Sequence, residues 1–498
     1  MPNAAPEPAA RPAAGPDSWD LAVIGAGPAG MTAAVAAADA GARAVVLDLG
    51  ARPGGQYWRW GLATSDGRYH HGWPAFAALL RRFTAHQAAG RIGYRSGHAV
   101  FQVEPPAAGD AGRGPFRVHA VADERRREYA AVAAAAVVVA TGAYDRQLPV
   151  PGWTLPGVMS AGAAQSLLKG SAVVAGRRVV VAGAGPFLLP VAAGLARAGA
   201  RVVAVVEAGQ PAGYLRRPAG LAASWRKLPE AGGYLAGLAR HRVPVLRRHA
   251  VIAAHGGDRL RSVTVARIDA AWAVVPGGER TFDADVLAAG YGFIPQVELL
   301  GGAGAELVAG PGPGAFAALA GPDQQTTVPG LFAAGETTGV GGADLARIEG
   351  AAAGRAAARY AGRPVPPERR GTARARAAGA RFAAVMESVH AVQPGWTRWP
   401  AEETVICRCE EVTLGELRTA IGLGADDARS AKLLARPGMG WCQGRMCGHA
   451  VSAIIAAESG RSAPEAAPAR PLAQPVPLRV LAALAEDSAV PESAGPSE

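Results

Sequence analysis

The chain has 498 residues, a formal charge of +11, half of its residues hydrophobic, 18% charged, and four cysteines. That apolar fraction at that length supplies several buried cores and excludes a chain disordered throughout, and four cysteines exclude a disulfide-stapled secreted scaffold. The positive balance is arginine spread along the chain, with lysine only at Lys169, Lys227 and Lys432 and the densest runs at Arg125-Arg126-Arg127 and Arg369-Arg370, so it reads as a solvated surface and not as a nucleic-acid site.

Residues 1–18 are rich in Pro and Ala, lack an apolar signal core, and are expected as a disordered tail. From Trp19 a strand-like DLAVIGAG leads into a helix-like PAGMTAAVAAADA that stops at Gly41, followed by a second strand, ARAVVLDL. Residues 90–135 alternate as a small antiparallel meander, and AAVVVATG (135–142) reads as a buried strand. A second unit of the same kind opens at Arg177 with RRVVVAGAG, PFLLPVAAGLARAGA and RVVAVVEA, with its own meander over 245–287. The chain then reaches VPGLFAAGE (328–336) and an Ala-rich helix over about 343–361. One copy of the strand–turn–helix–strand unit thus sits inside the other. This predicts an α/β protein with two nested Rossmann-like domains: 19–150 with 285–365 as one discontinuous domain, and 151–284 as the inserted one.

The Pro-rich PVPPERRG (364–371) breaks the pattern, and a linking helix is expected within 366–400. All four cysteines fall in 401–460, read as a small, mostly helical domain, and 461–498 reads as a second flexible tail with one short apolar stretch, LRVLAALA. No apolar run reaches the roughly 18 residues needed to cross a bilayer. A reducing, cytoplasmic location is the expectation, with peripheral membrane contact left open.

Gly25-Ala26-Gly27-Pro28-Ala29-Gly30 follows a strand and opens a helix, the context that gives this motif meaning. Gly25 permits the tight turn, Gly27 lets the backbone approach a pyrophosphate, and Gly30 lets helix and strand pack closely. Asp48, at the end of the next strand, can accept from ribose hydroxyls. The motif alone does not separate FAD from NAD. The second turn keeps Gly183 and Gly185 but has Leu188 for the third glycine, which should push helix and strand apart or demand local repacking. Glu207 ends the following strand, where a carboxylate disfavours the 2′-phosphate of NADP and so favours NAD. A fold kept as scaffold, or holding another nucleotide, is the alternative.

Cys407-Arg-Cys409, then Cys442-Gln-Gly-Arg-Met-Cys447, is the sharpest signal. Four thiolates from two loops suit a [2Fe–2S] cluster. Four-thiolate zinc is the alternative, although paired zinc cysteines usually have two or more residues between them. Thr413 and Glu416 form a capping box that should start a helix, and Cys447 should open another. If all four thiols serve one site, none remains for a redox-active disulfide. His70-His71, with no third ligand nearby, reads as a loop face. Trp58, Trp60 and Trp73 suit core packing as well as a cofactor wall, and Glu298 and Glu349 have no spacing that argues for catalysis. No catalytic acid or base is assigned.

Ala140-Thr141-Gly142, Gly335-Glu336 and Gly54-Gly55-Gln56 resemble sequence marks of flavoproteins with two dinucleotide domains, the thioredoxin- and glutathione-reductase-like group. That resemblance implies FAD contacts for Gly55, Gln56, Thr141, Gly142, Gly335 and Glu336, the last in place of the usual Asp. Taken in order, VIGAGPAG, GGQYW, ATGAYDRQLPVPGWTLPGVMSAGAAQ, GAGPFLLPVAAGLARAGARVVAVVE, GLFAAGE and CRCEE…GMGWCQGRMCG resemble the α-subunit family of bacterial FAD-dependent amine and imino-acid dehydrogenases. This family includes subunits of opine oxidase, hydrogen cyanide synthase and D-hydroxyproline or proline dehydrogenase. Leu188 agrees with it, and the cysteine segment is similar to bacterioferritin-associated-ferredoxin [2Fe–2S] domains. The resemblance implies an electron-transfer subunit working with a D-amino-acid-oxidase-like flavoprotein subunit, with a small ferredoxin-like subunit as a further candidate partner. It implies FAD and a [2Fe–2S] cluster, and admits FMN at a subunit interface and NAD or another nucleotide in the second fold. Two other readings stand beside it: a stand-alone NADH-dependent flavoprotein reductase, and a non-enzymatic scaffold or redox sensor.

Overall fold

The computed structural model describes residues 18–106, 114–122, 128–210, 213–214, 228–310, 312–368, 370–460 and 472–488. The tail expected over 1–18 thus lies outside the described residues up to position 17, as do Arg125-Arg126-Arg127, Lys227 and Arg369.

The first unit is built from β1 (Ser18–Ile24), α1 (Pro28–Asp39), β2 (Ala44–Asp48), α2 (Trp73–Ala88), β3 (Ile92–Ser96), β4 (His98–Glu104), β5 (Phe116–Ala122) and β6 (Glu128–Val139). Its sheet runs β3-β2-β1-β6-β5-β4, with β1, β2, β3 and β6 parallel and β4, β5 and β6 antiparallel. The parallel strands read as continuous apolar runs because both faces are covered. Leu21, Val23, Val46 and Val138 meet the helices on one side, and Ala22, Val45, Val137 and Val139 meet Phe116, Val118, Leu299 and Leu300 on the other.

The inserted unit holds β8 (Val158–Ser160), α3 (Ala161–Ser171), β9 (Arg178–Gly183), α4 (Leu188–Arg197), β10 (Arg201–Glu207), α5 (Leu228–Arg240), β11 (Val245–Arg247) and β15 (Val286–Gly290). They make a parallel sheet ordered β11-β10-β9-β15-β8, beside an antiparallel meander of β12 (His249–Gly256), β13 (Leu260–Arg267) and β14 (Arg280–Asp283). Two short antiparallel strands, β7 (Ala143–Asp145) and β16 (Phe293–Pro295), carry the chain out of and back to the first unit. The return was expected at 285. Instead β15 pairs with β9 from Val286 to Gly290, because its alternate residues complete the second sheet's two apolar faces. The crossing therefore falls after Gly290.

After α6 (Glu298–Gly302), β17 (Leu307–Ala309) and β18 (Phe316–Ala318), β19 (Leu331–Ala333) rejoins β6, and α7 (Ala343–Tyr360) lies against α1. The Ala-rich composition of both helices has a geometric reason. A Cβ on Gly350 would sit 2.1 Å from the Ala29 carbonyl oxygen, and one on Gly354 would sit 2.1 Å from that of Ala33. Two helices this close admit only the smallest side chains along the seam.

The linker helix α8 (Arg370–Val389) buries none of its residues, as its polar sequence dictates. Beyond it the C-terminal domain holds β20 (Val405–Cys407), β21 (Val412–Thr413), α9 (Leu414–Gly422), α10 (Ala428–Ala435) and α11 (Gly448–Ser459). One apolar cluster joins this domain to the inserted unit: Trp153, Trp272 and Tyr291 pack with Trp396, Trp399, Ile406 and Cys407. The Trp153 indole N–H donates to the Val405 carbonyl at 2.6 Å, and that of Trp399 donates to Trp272 at 3.0 Å. The domain is thus docked through a dry, tryptophan-rich seam.

The flexible tail expected over 461–498 is corrected in part. Residues 472–488 fold back on the first unit, where Ala473 N–H donates to the Phe101 carbonyl at 2.8 Å and Gln474 Nε2 to Val100 at 3.2 Å along the outer edge of β4. This covers an open sheet edge. The LRVLAALA stretch becomes α12 (Leu478–Ser488), with Val480 buried. Residues 461–471 and 489–498 lie outside the described residues. No described helix is long and apolar enough to cross a membrane.

Candidate functional site

The first glycine-rich turn shows why its glycines stand where they do. Gly25 has φ +99°, and a Cβ there would lie 2.4 Å from the Ala140 carbonyl oxygen; one on Gly30 would lie 1.8 Å from that of Gly25. Helix α1 begins with Pro28 at its first position and has no side-chain cap at Gly27. Its first-turn amides therefore remain open to an anion, with the helix dipole adding positive potential. Asp48 Oδ1 accepts from Ala26 N–H at 3.1 Å, and the Tyr94 hydroxyl donates to Oδ2 at 3.4 Å; burial raises the carboxyl's pKa above its ordinary value. This chemistry fits a nucleotide, with open amides for phosphate and a carboxylate for ribose hydroxyls.

The loop at Gly54-Gly55-Gln56 is pinned across this turn. Gly54 N–H donates to the Ala26 carbonyl at 2.8 Å, and a Cβ on Gly55 would lie 2.6 Å from Gly27 Cα. Gln56 Oε1 accepts from Arg59 and from Ser166 of α3, so the loop bridges the two units. Lys169, which the sequence reading passed over, holds the same loop. Its ammonium donates to the Tyr57 carbonyl at 2.9 Å, and burial pushes its pKa down to about 8. On the far side the Thr141 hydroxyl donates to the Gln296 carbonyl at 2.9 Å, and Gly142 takes φ +85°.

Gly335 and Glu336 sit behind the turn beside a carboxylate the sequence did not single out. Glu349, in mid-helix on α7, accepts from Gly335 N–H at 2.9 Å and from the Thr338 hydroxyl at 3.2 Å. Glu336 accepts from Gly342 N–H at 2.8 Å, at the start of α7. Burial pushes both carboxyls up to about 7. Between pH about 4.5 and 7 the folded chain therefore holds protons that the unfolded chain has released, so stability falls as pH rises through that window. The slope approaches about 1.4 kcal/mol per pH unit for each group. Glu349→Gln keeps an oxygen acceptor and removes the titration, and thermal unfolding from pH 4.5 to 8 should show a visibly flatter profile than the parent. An unchanged slope would contradict this.

The second turn is built differently. Helix α4 begins only at Leu188, two residues after Pro186, whereas α1 begins at Pro28 itself. Leu188 N–H donates back to Gly185 and Leu189 N–H to Pro186, a tighter turn that lifts the helix start away from the strand. This is the repacking that a leucine at the third glycine's position demands. Leu188 itself is buried among Ala161, Leu168 and Val191. Glu207 is held by backbone amides of its own turn and loop, as Asp48 is by those of Ala26 and Gly50. Its carboxylate turns into its own loop and accepts from Gly209 N–H at 2.7 Å and Gly185 N–H at 3.2 Å.

The four thiols converge. The β20–β21 hairpin presents Cys407 and Cys409, and the loop before α11 presents Cys442 and Cys447. Hydrogen bonding with the Cys447 thiol pushes Cys407 down to about 6 and Cys442 down to about 4, and drives Cys447 itself well up. Cys409, shifted up by burial, touches Cys442. Gly438 N–H donates to Cys407 Sγ at 3.3 Å, and a Cβ on Gly440 would meet that of Cys409 at 2.3 Å. The capping box is present: Thr413 Oγ1 accepts from Glu416 N–H at 3.3 Å, while Glu416 Oε2 accepts from Thr413 N–H at 2.8 Å. Cys447 is the uncapped N-cap of α11, so a positive helix end faces the thiols. Among the described residues no group of three or more His, Cys, Asp or Glu side chains is already arranged to hold a metal ion. A [2Fe–2S] centre takes two thiolates on each iron.

Two polar contacts missed at the sequence level tie this loop to the flavoprotein-like body. Arg445 Nε donates to Glu298 Oε1 at 3.1 Å, with side chains 8% and 16% exposed. His449, kept neutral as burial pushes its pKa down to about 3, meets the Gln147 carbonyl through Nε2 at 2.7 Å. No local pattern marks either contact. A single cavity of about 3170 Å³ runs from Gly27 and Asp48 past Thr141 and Tyr144 to Gly438 and Cys447. That is several times the volume one small ligand fills. Trp58, Trp60 and Trp73 pack with Phe76 at the first unit's core, Trp60 also lines the cavity, and His70 and His71 are held by Arg59 and Glu230.

Comparison with known proteins agrees with this geometry. Residues 19–358 match the family described as pyridine nucleotide-disulphide oxidoreductase, and residues 405–457 match the BFD-like [2Fe-2S] binding domain. The chain is 34% identical to an opine oxidase subunit of Agrobacterium tumefaciens (strain Ach5), over 96% of this chain and 93% of that protein. It is 33% identical to the hydrogen cyanide synthase subunit HcnB of Pseudomonas aeruginosa, over 85% and 90%. Among solved structures, L-proline dehydrogenase from P. horikoshii superposes with a TM-score of 0.62 at 18% identity, covering 93% of this chain and 79% of that one, a likeness of fold.

Proposed function

The chain belongs to the pyridine nucleotide-disulphide oxidoreductase family and carries a [2Fe–2S] domain at its C-terminal side; from that premise we propose that it is the electron-transfer subunit of a heteromeric FAD-dependent dehydrogenase of amines or imino acids, of the opine, hydroxyproline, proline or glycine type. The observation that carries the reading is the single cavity reaching from the nucleotide turn to the thiol loop, in a chain whose only four cysteines meet at one place. No thiol is left to make a redox disulfide beside a flavin, so the dithiol chemistry common in this family has no residues to perform it.

When bound, a flavin exchanges electron pairs and a [2Fe–2S] centre single electrons, so the two together convert one currency into the other. The chain's own residues supply the frame. The open first turn of α1 would hold the pyrophosphate, and Asp48 the ribose. Gly55, Gln56, Thr141 and Gly142 would border the ring, with Gly335 and Glu336 behind it. Cys407, Cys409, Cys442 and Cys447 would hold the iron pair. The Trp153–Val405 and Arg445–Glu298 contacts hold the thiol domain against the rest of the chain. The substrate would be oxidised on a D-amino-acid-oxidase-like flavoprotein partner.

The test uses the purified chain with its cofactors and a panel of proline, hydroxyproline, opines, glycine and sarcosine. Alone it should oxidise none of them with an artificial acceptor; mixed with its co-purified flavoprotein partner it should turn one of them over. Full turnover by the single chain would overturn the reading.

A further inference from the structure

The carboxylate that ends the second strand of a dinucleotide fold normally accepts from the adenosine ribose. In the first unit Asp48 is placed for this: it borders the large cavity. Glu207, its counterpart, does not lie among the described residues that line that cavity, and is only 7% exposed. Its oxygens accept from Gly185 and Gly209 as those of Asp48 accept from Ala26 and Gly50, so the difference lies in what stands between Glu207 and the cavity, which the second turn and His390 border. Over it sits the residue that follows the linker helix. His390 Nδ1 is 3.6 Å from Glu207 Oε1, and His390 Nε2 is 3.2 Å from the Tyr214 hydroxyl. A single methyl group's worth of space is missing there: a Cβ on Gly209 would stand 2.7 Å from His390 Nδ1, and one on Gly213 would meet the Val389 methyls at 3.4 and 3.5 Å. The His390 and Glu207 side chains are each only 9% exposed.

We propose that the second nucleotide fold is closed by the chain's own linker: His390, backed by Tyr214 and Val389, occupies the place beside Glu207 that the adenosine ribose of a dinucleotide would take, so the protein draws no electrons from NADH. The occupant is covalently part of the chain, at an effective concentration no soluble nucleotide matches. A dinucleotide would have to expel a buried imidazole from beside Glu207 before gaining its own hydrogen bonds. The late start of α4 adds to this, because the Leu188 and Leu189 amides are drawn into a tighter turn, donating to the Gly185 and Pro186 carbonyls. The fold survives as a scaffold that presents Trp153 and Tyr291 to the thiol domain. This proposal does not depend on the amine-oxidising partner, and its failure would leave that reading standing.

The experiment takes the purified chain with its cofactors, with NADH and NAD as probes. Calorimetry on the parent should detect no binding of either, and anaerobic NADH should leave the flavin spectrum unchanged. His390→Gly, which removes the imidazole, should bind NADH at least about tenfold more tightly than the parent. Parent binding as tight as the variant's, or no gain in the variant, overturns the proposal. Should His390→Gly fail to fold, hydrogen exchange on the parent decides: amides of 183–187 and 205–210 should exchange equally with and without NADH, and protection there on adding NADH overturns the closure.

Discussion

Cys442→Ser should abolish the iron–sulfur centre while leaving the protein folded and its nucleotide bound. Cys442 is half-buried in the loop before α11, so a hydroxyl there meets solvent and upsets little packing. Cys407 is fully buried in the seam with Trp153 and Ile406, and replacing it would confuse ligand loss with core damage. The thiol of Cys442 is the most acidified of the four, held down by the Cys447 thiol and by the amides of Met446 and Gly444. It is the readiest anion for iron, and a serine hydroxyl does not ionise there. Iron and acid-labile sulfide should fall together toward zero, and transfer to a one-electron acceptor should drop by more than the roughly 100-fold that loss of an outer-shell partner can cause. Flavin content should hold. Retention of iron and sulfide at parental levels would remove Cys442 from the ligand set.

Gly30→Ala should have the opposite pattern, loss of the nucleotide with the iron centre kept. An alanine Cβ at position 30 would lie 1.8 Å from the Gly25 carbonyl oxygen and 3.2 Å from Val23 Cγ1, both in the first unit's core. The backbone oxygen cannot rotate away without breaking the turn, so α1 must lift from β1 and carry its open amides off the phosphate. Overpacking of this kind destabilises by about 3 kcal/mol. Flavin absorbance per chain and thermal unfolding report the two effects, and a variant with full flavin and parental stability would contradict the close-packing role. The second unit shows how the constraint is escaped. With Leu188 at the matching position, the helix simply starts two residues later.

What could be read from the residues alone follows from how local each signal is. The nested units were legible because apolar runs, glycine turns and helix periods each act over a few residues, and the capping box at Thr413 needs only its own four. The four thiols were legible because no other cysteine competes with them. Side-chain direction set by distant segments was not legible. Glu207 ends its strand as the pattern requires, yet nothing near it in sequence shows that His390, 183 residues later, lies over it. Glu349 has no spacing that argues for a role, and only the close packing of α7 on α1 shows it buried against Gly335. The strand Val286–Gly290 was given to the wrong sheet because an apolar run does not say which neighbour it pairs with. Residues 472–488 gave too weak a pattern to show that they would cover the edge of β4.

The most direct test of the relay reduces the purified chain stepwise and anaerobically with dithionite, recording the visible spectrum and low-temperature electron paramagnetic resonance on the same samples. A yellow chromophore that bleaches, together with a one-electron signal of a reduced [2Fe–2S] pair that Cys442→Ser lacks, is the result expected. A chain that holds zinc in place of iron and sulfide, or that shows no bleachable flavin, would contradict the account.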